Sequence, residues 1–255
     1  MVISSPSFEA MVSVSIVSHG HGCMVEQLVA NVLEYPEIGQ VIVTHNTAES
    51  LNLPKDGRIL TVHNRIPAGF AANHNAAFAS CRLPYFCLLN PDIQLPSNPF
   101  PALLAALQST GAALAAPLVK NPAGQVEDSM RHFPSMRSLL AKALSDSDGR
   151  YPMDHCSLLF YPEWVAGMFM LFCSADFKRL EGFDARFFLY YEDVDICVRA
   201  WKAGMKILAC PEVTVIHDAR RESRRNYRYM GWHLASMARY FIKHWGRLPT
   251  LPEGE

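Results

Sequence analysis

The chain has 255 residues, half of them hydrophobic and 18% charged, with a formal net charge of −1. That composition supports a sizeable core, argues against global disorder and carries no overall nucleic-acid signature. Seven cysteines, none spaced as C-x-x-C, argue against a disulfide framework or a zinc site and point to a reducing, cytoplasmic compartment.

Residues 12–17 form a short β-rich run that ends at Ser18-His19-Gly20-His21-Gly22, and a helical pattern follows to Tyr35. Residues 40–44 and 58–62 read as further strands, 69–81 as a helix, 85–89 as a fully apolar strand, and 97–108 as a helix capped by Ser97 or Asn98. Residues 112–119 complete the first half as a strand. The uncharged stretch 102–119 is broken by Gln108-Ser109-Thr110-Gly111, so it reads as helix, turn and strand and not as a membrane span. The N-terminus carries Glu9 and has no basic flank, so no signal peptide is expected. This alternation is the βαβ pattern of a mainly parallel α/β sheet, in which ligands sit beyond the carboxyl ends of the strands.

The second half is less regular. A turn at 121–124 precedes an aperiodic stretch over 131–162, expected to be a long loop. Then come a strand over 164–172, a short helix over 175–180, an acidic-start helix over 192–203, one or two strands over 206–216 and a basic helix over 226–245. From His217 to Arg247 eight Lys or Arg face only Asp218 and Glu222, a local excess of six positive charges.

The segment Arg186-Phe187-Phe188-Leu189-Tyr190-Tyr191-Glu192-Asp193-Val194-Asp195-Ile196 carries the strongest chemical signal. Three carboxylates within four positions repel one another and resist desolvation, so an aromatic approach to them calls for a partner. An acidic first helical turn, favoured by the helix dipole, accounts for part of the cluster, and replacing Asp195 should matter least of the three if it merely starts that helix. Asn90-Pro91-Asp92 follows the apolar strand; a carboxylate there suits Mg²⁺ or Mn²⁺, although the tripeptide alone is also plain turn chemistry. Asn64, with Asn73 and Asn75 after Gly69, places side-chain amides at a helix start where they can read a base or sugar, or simply cap the helix. His217 ends a strand just before the basic run and is a candidate metal ligand or phosphate contact.

Taken in order, Val14-Ser15-Ile16-Val17-Ser18, Gly69-Phe70-Ala71-Ala72-Asn73-His74-Asn75, Leu89-Asn90-Pro91-Asp92, Trp164-Val165-Ala166-Gly167 and Gly182-Phe183-Asp184 through Glu192-Asp193-Val194-Asp195 resemble the family 2 inverting glycosyltransferases of the GT-A fold, and most of all its rhamnosyltransferase-type members. The resemblance implies one GT-A domain over 1–255. Its nucleotide-binding half covers about 12–119, its acceptor and catalytic half about 120–217, and a basic helical segment 218–255. It implies that Asp193 is the catalytic base with Glu192 beside it, and that Asp92 and His217 hold a divalent cation, Asn90 replacing the first aspartate of the family's D-x-D. Ser18, His19, Gly20, His45, Asn46, Asn64, Gly69, Phe70, Asn73, Asn75, Asn90 and Asp92 would contact the nucleotide-sugar donor, and Trp164, Ala166 and Gly167 the acceptor side. His45-Asn46 departs from the family's usual Asp-Asn after the second strand.

The expected activity is transfer of a sugar, L-rhamnose first, from a dTDP- or UDP-linked donor to a hydroxyl of a saccharide or lipid-linked acceptor. The basic segment is expected to meet either the diphosphate or an anionic membrane surface, and no nucleic-acid partner is expected. Two rivals are a nucleotidyltransferase, which would carry Lys or Arg in the loop after the first strand where Ser18–Gly22 has none, and a silent nucleotide-sugar-binding protein, which would lack the carboxylates.

Overall fold

Strand β1 (Val12–Ser18) reads Val-Ser-Val-Ser-Ile-Val-Ser and is buried along its whole length, which only a central strand covered on both faces can be. A computed structural model describes residues 10–135, 151, 158–218 and 227–251. The chain order is β1, α1 (Cys23–Leu33), β2 (Ile38–His45), β3 (Ile59–His63), α2 (Phe70–Phe78), β4 (Tyr85–Leu89), β5 (Ile93–Gln94), α3 (Phe100–Thr110), β6 (Leu114–Lys120) and β7 (Met130–Arg131). The second half adds β8 (Trp164–Val165), β9 (Phe169–Cys173), α4 (Ser174–Arg179), α5 (Glu192–Lys202), β10 (Ile207–His217) and α6 (Tyr227–His244).

Eight strands form one sheet in the order β3-β2-β1-β4-β9-β6-β10-β5, in which β9 and β5 run antiparallel to their neighbours. Because successive side chains point to opposite faces, each central strand feeds two cores. Cys87 and Leu89 of β4 and Phe169 and Leu171 of β9 join α1 and α3 on one face. Phe86, Leu88, Met170 and Phe172 join α2, α4, α5 and α6 on the other. In β1 the second face carries serines, and each is satisfied: Ser13 Oγ donates to Gln40 Oε1 at 2.6 Å, and Ser15 Oγ is hydrogen-bonded to His74 Nδ1 of α2 at 2.9 Å.

The expected single strand over 164–172 divides in two. Trp164–Val165 pairs with β7 in a separate two-stranded ribbon, and the chain enters the main sheet only at Phe169. The residues between, Ala166–Met168, are spent on the site described below. The short strand β5 has no signature in the sequence, and most of the expected loop over 131–162 lies outside the described residues. Among the described residues no helix is long and apolar enough to cross a membrane.

Burial holds His74 down to about 3, so it stays neutral in the folded protein. An unfolded imidazole binds its proton below about 6.5, so stability should fall as pH drops through 6.5 toward 3, by up to about 1.4 kcal/mol per unit for this one group. Urea unfolding of wild type and His74→Gln between pH 7 and 4.5 checks this; the variant should lose that component of the slope.

Candidate active site

The carboxyl ends of β1, β2, β3 and β4 meet on one side of the sheet, and their polar residues are largely engaged with one another. Asn46 is fully buried: its backbone N–H donates to Ser18 O at 2.9 Å, its amide oxygen accepts from Ala68 N at 2.8 Å, and its amide nitrogen donates to Ala68 O at 2.9 Å. That nitrogen also lies 2.6 Å from His19 Nε2. Asn64 Nδ2 bridges Asn46 Oδ1 at 2.6 Å and Asn73 Oδ1 at 2.7 Å, while Asn73 itself is buried and donates to Ala68 O at 3.0 Å. These three asparagines fasten the strand ends to the start of α2. Asn75 is likewise structural, with both ends of its amide on the Phe183 backbone at 2.8 and 2.9 Å. These hydrogen bonds give all four amides a scaffold role, and Asn46 and Asn64 also line the cavity described below.

Glu49, which no motif marked, holds the loop after β1. Its carboxylate accepts from Gly20 N at 3.1 Å and Gly22 N at 3.2 Å, and both glycines have positive φ. Burial opposes its charge, but the Ser18 hydroxyl and these N–H groups outweigh it and hold the carboxyl below its ordinary range. An acid thus already fills the amide cradle at the head of α1, where a phosphate would otherwise be favoured. Beside it opens a cavity of about 470 Å³ lined by His45, Thr47, Glu49, His63, Asn64 and Arg65. His45 and His63 stack there with ring centroids 4.2 Å apart, and His45 Nδ1 is buried with no hydrogen-bond partner.

At the end of β4, Asp92 meets His217 because β5 pairs antiparallel with the end of β10. Asp92 Oδ2 lies 3.2 Å from His217 Nε2, and His217 Nδ1 lies 2.5 Å from Glu127 Oε2. Burial works against the imidazolium, but the two carboxylates prevail and raise His217 to about 8. Asp92 Oδ1 is buried without a partner, which fits a carboxylate awaiting a cation. Among the described residues no group of three or more His, Cys, Asp and Glu is placed to hold a metal, and Asp92 and His217 are the pair of such side chains brought together here. That suits Mg²⁺ or Mn²⁺, whose remaining ligands commonly come from substrate phosphates and water.

The aromatic run arrives at α2 through Gly69. Phe70 N donates to Phe188 O at 2.9 Å, and a side chain at Gly69 would collide with the Phe188 backbone, at 2.3 Å from its carbonyl oxygen. Tyr190 and Tyr191 then follow with φ of 70° and 65°. Two consecutive bulky residues in the left-handed region store strain of roughly 1–3 kcal/mol each, and such strain clusters at functional sites.

The three carboxylates at the start of α5 have three different environments. Asp193 Oδ2 accepts from Gly167 N at 3.0 Å and Oδ1 from Val194 N at 2.8 Å. Desolvation nevertheless dominates and lifts its carboxyl above the ordinary range. Glu192 is buried, with Oε2 unpartnered, and burial together with the neighbouring Asp193 raises its carboxyl well above that range. Asp195 is fully buried among Arg199 (2.8 Å), Lys243 (2.7 Å) and His244 (2.8 Å). Asp195 therefore does more than start the helix. It is the anchor onto which α6 closes.

Gly167 ties these parts together. A side chain there would lie 3.1 Å from Phe70 Cζ and 3.6 Å from Asp193 Cβ, so the two halves of the fold meet at this residue. Ala166 N is fixed on Ser129 O at 2.8 Å. Trp164, only 9% exposed, donates its indole N–H to His132 O at 3.0 Å and supports the Ala166–Gly167 turn from behind. Arg220, Arg221, Arg224 and Arg225 lie outside the described residues. Of the remaining cations, Lys243 is engaged by Asp184 and Asp195, and Arg239 by the Arg186 carbonyl.

No family model matches the chain. The chain is 30% identical to the rhamnosyltransferase WbbL of Escherichia coli over 247 residues, 91% of this chain and 93% of that protein. It is also 30% identical, over 54% of its length, to the N-acetylglucosaminyl-diphospho-decaprenol L-rhamnosyltransferase of Mycobacterium tuberculosis, of which it covers 48%. Among solved structures, GalNAc-T7 with UDP, GalNAc and Mn²⁺ superposes with a TM-score of 0.65 at 15% identity, over 84% of this chain and 45% of that one. The mannosyltransferase PcManGT of Pyrobaculum calidifontis with GDP-Man and Mn²⁺ superposes at 0.63 and 15% identity, over 96% of this chain and 66% of that one. The near full-length match to the Escherichia coli protein, on a sheet shared with these enzymes, shows that the chain belongs to the rhamnosyltransferase-type family 2 glycosyltransferases of the GT-A fold.

Proposed function

We propose that the protein transfers L-rhamnose from a nucleoside-diphosphate donor, dTDP-rhamnose first and a UDP-linked sugar second, to a hydroxyl of a saccharide or lipid-linked acceptor, with inversion at the anomeric carbon. The observation that carries this reading is Asp193, a carboxylate raised by desolvation and oriented by the Gly167 and Val194 N–H groups, where the donor-side Phe70 meets the acceptor-side turn. A base works best when its pKa approaches the working pH, and the fixed N–H bonds decide which way it points. Asp193 takes the acceptor proton as the hydroxyl oxygen attacks and the bond to the diphosphate breaks. Burial and the neighbouring Asp193 disfavour the charged form of Glu192, and its Oε2 has no partner in the protein and could meet an acceptor hydroxyl.

Asp92 and His217 would hold Mg²⁺ or Mn²⁺, which would stabilise the charge on the departing diphosphate. The Mn²⁺ in two structures of the same fold supports that expectation. Binding must displace the proton that Asp92 and Glu127 favour on His217, so metal affinity should rise with pH through about 8. Asp92→Ala should abolish the strengthening of nucleotide binding by Mn²⁺, a loss of about tenfold or more. Equal nucleotide affinity of the two proteins in saturating Mn²⁺ would remove Asp92 from the metal site.

The cavity around His45 and His63 is the place for the base, with a stacked imidazole pair where relatives often carry an aspartate. The two structural relatives hold UDP and GDP-Man, so neither indicates a base for this chain. Thermal shifts with a panel of nucleotide sugars, with and without Mn²⁺, test the donor, because a ligand bound only by the native state raises Tm. The largest shift should come from dTDP-rhamnose with Mn²⁺; a purine-linked sugar in first place would overturn the assignment. The six described cysteines are all free, which supports a cytoplasmic location.

A further inference from the structure

Helix α6 is amphipathic in an unusual sense: its inner face is polar and aromatic, and its outer face is apolar. Ser236, Tyr240 and His244 are buried against the 184–195 segment, with Ser236 Oγ donating to Leu189 O at 2.8 Å. The outward residues are Tyr227 (89% exposed), Met230 (57%), Leu234 (51%), Ile242 (81%) and Trp245 (65%). At 3.6 residues per turn these five fall within an arc of about 120°. The exposed positions between them within that arc are Gly231 and Ala238, so no charged group interrupts the stripe. A continuous apolar face of this length on an otherwise ordinary surface marks a binding site.

We propose that this face docks the protein onto a bilayer surface bearing anionic headgroups, with α6 lying in the plane of the interface. Charge and residue type choose this occupant over a second protein. Arg228 and Arg239 are exposed and border the stripe at the next positions round the helix, with the exposed Arg247 just beyond its end. Tyr227 and Trp245 stand at the two ends, where amphipathic rings suit the headgroup level. With no helix among the described residues able to span a membrane, α6 lies on the bilayer and does not cross it. The inner face of α6 holds Asp195 and packs Trp232 and His233 on Phe188, Tyr190 and Tyr191, the residues leading into Glu192 and Asp193. Docking would therefore fix the carboxylate-bearing element relative to the lipid surface. The inference goes beyond the transfer reaction and does not depend on it, because vesicle binding is read without substrate.

The test is flotation of the full chain with vesicles of phosphatidylcholine and phosphatidylglycerol, beside phosphatidylcholine alone, at low and high salt. The wild type should float with the anionic vesicles at low salt and less well at high salt. The double variant Leu234→Asp/Ile242→Asp should stay unbound while keeping its Tm and its thermal shift with nucleotide, since neither side chain touches the cleft. Brominated acyl chains should quench the fluorescence of the wild type, and Trp245→Phe should lose most of that quenching. No flotation of the wild type at low salt overturns the proposal, as does undiminished binding of the double variant. A dimer in light scattering that the double variant abolishes, with no vesicle binding, would give the face to a second copy of the chain and equally refute it.

Discussion

Asp193→Asn should lower sugar transfer by about 10²–10⁴-fold and leave donor affinity nearly unchanged, as expected for loss of a general base. Asparagine keeps the size of the side chain, but its single amide oxygen can accept from only one of Gly167 N and Val194 N, so a modest loss of Tm should accompany the change. It cannot take the acceptor proton. Glu192→Gln should have a much smaller effect, because burial and the adjacent Asp193 already disfavour the charged form of Glu192, and glutamine keeps the size and polarity of its uncharged form. Turnover and Tm measured on the same preparations distinguish the outcomes. A fall in Tm with unchanged turnover per folded molecule would make Asp193 structural, and a dead Glu192→Gln beside an active Asp193→Asn would move the base one residue earlier.

Asp195→Ala should cost about 3–5 kcal/mol of stability, the range for removing one partner of a buried charge cluster. The side chain is fully buried and its removal leaves Arg199, Lys243 and His244 without their common partner. Burial alone would push the Asp195 carboxyl up, yet hydrogen bonding from His244 and attraction to Arg199 and Lys243 bring it below the ordinary range. The sign follows: its stabilisation is present above the carboxylate pKa of the unfolded chain and disappears as pH falls through the lower folded value. Denaturant unfolding should show the loss at pH 7 and a narrowing gap between wild type and variant in acid. The loss should include detachment of α6, visible as increased proteolysis near Tyr227, a residue already exposed.

Much of the architecture was legible in the residues. Tyr85–Leu89 is apolar throughout because β4 is covered on both faces, and the strand was readable to the residue. The Val-Ser alternation of β1 was readable as a strand but not as a two-sided device, since Ser15 is matched by His74 in the next helix but one. Asn46, Asn64, Asn73 and Asn75 looked like donor contacts because amides at strand ends can serve either purpose. The bonds of Asn64 to Asn46 and Asn73 arise only when strand ends and the start of α2 converge, and those of Asn75 only when the Phe183 backbone reaches α2. Glu49 and Glu127 carried no signal, being single acids in polar stretches whose partners are distant in sequence. The role of Asp195 was hidden for the same reason: Arg199 is one turn away, but Lys243 and His244 arrive from the far end of the chain. Asp193, Gly167 and Phe70 come from three separated motifs that sequence order had already grouped, and their meeting at one glycine is what the fold adds.

The most direct measurement is an NMR determination of the anomeric configuration of the glycosidic product, made from dTDP-rhamnose and a saccharide or lipid-linked acceptor with Mn²⁺, alongside acceptor-dependent release of nucleoside diphosphate. One in-line attack assisted by Asp193 predicts a single product whose configuration is opposite to that of the donor, with one diphosphate released per linkage formed. A product with retained configuration, or no acceptor-dependent release from any nucleotide sugar, would contradict the account.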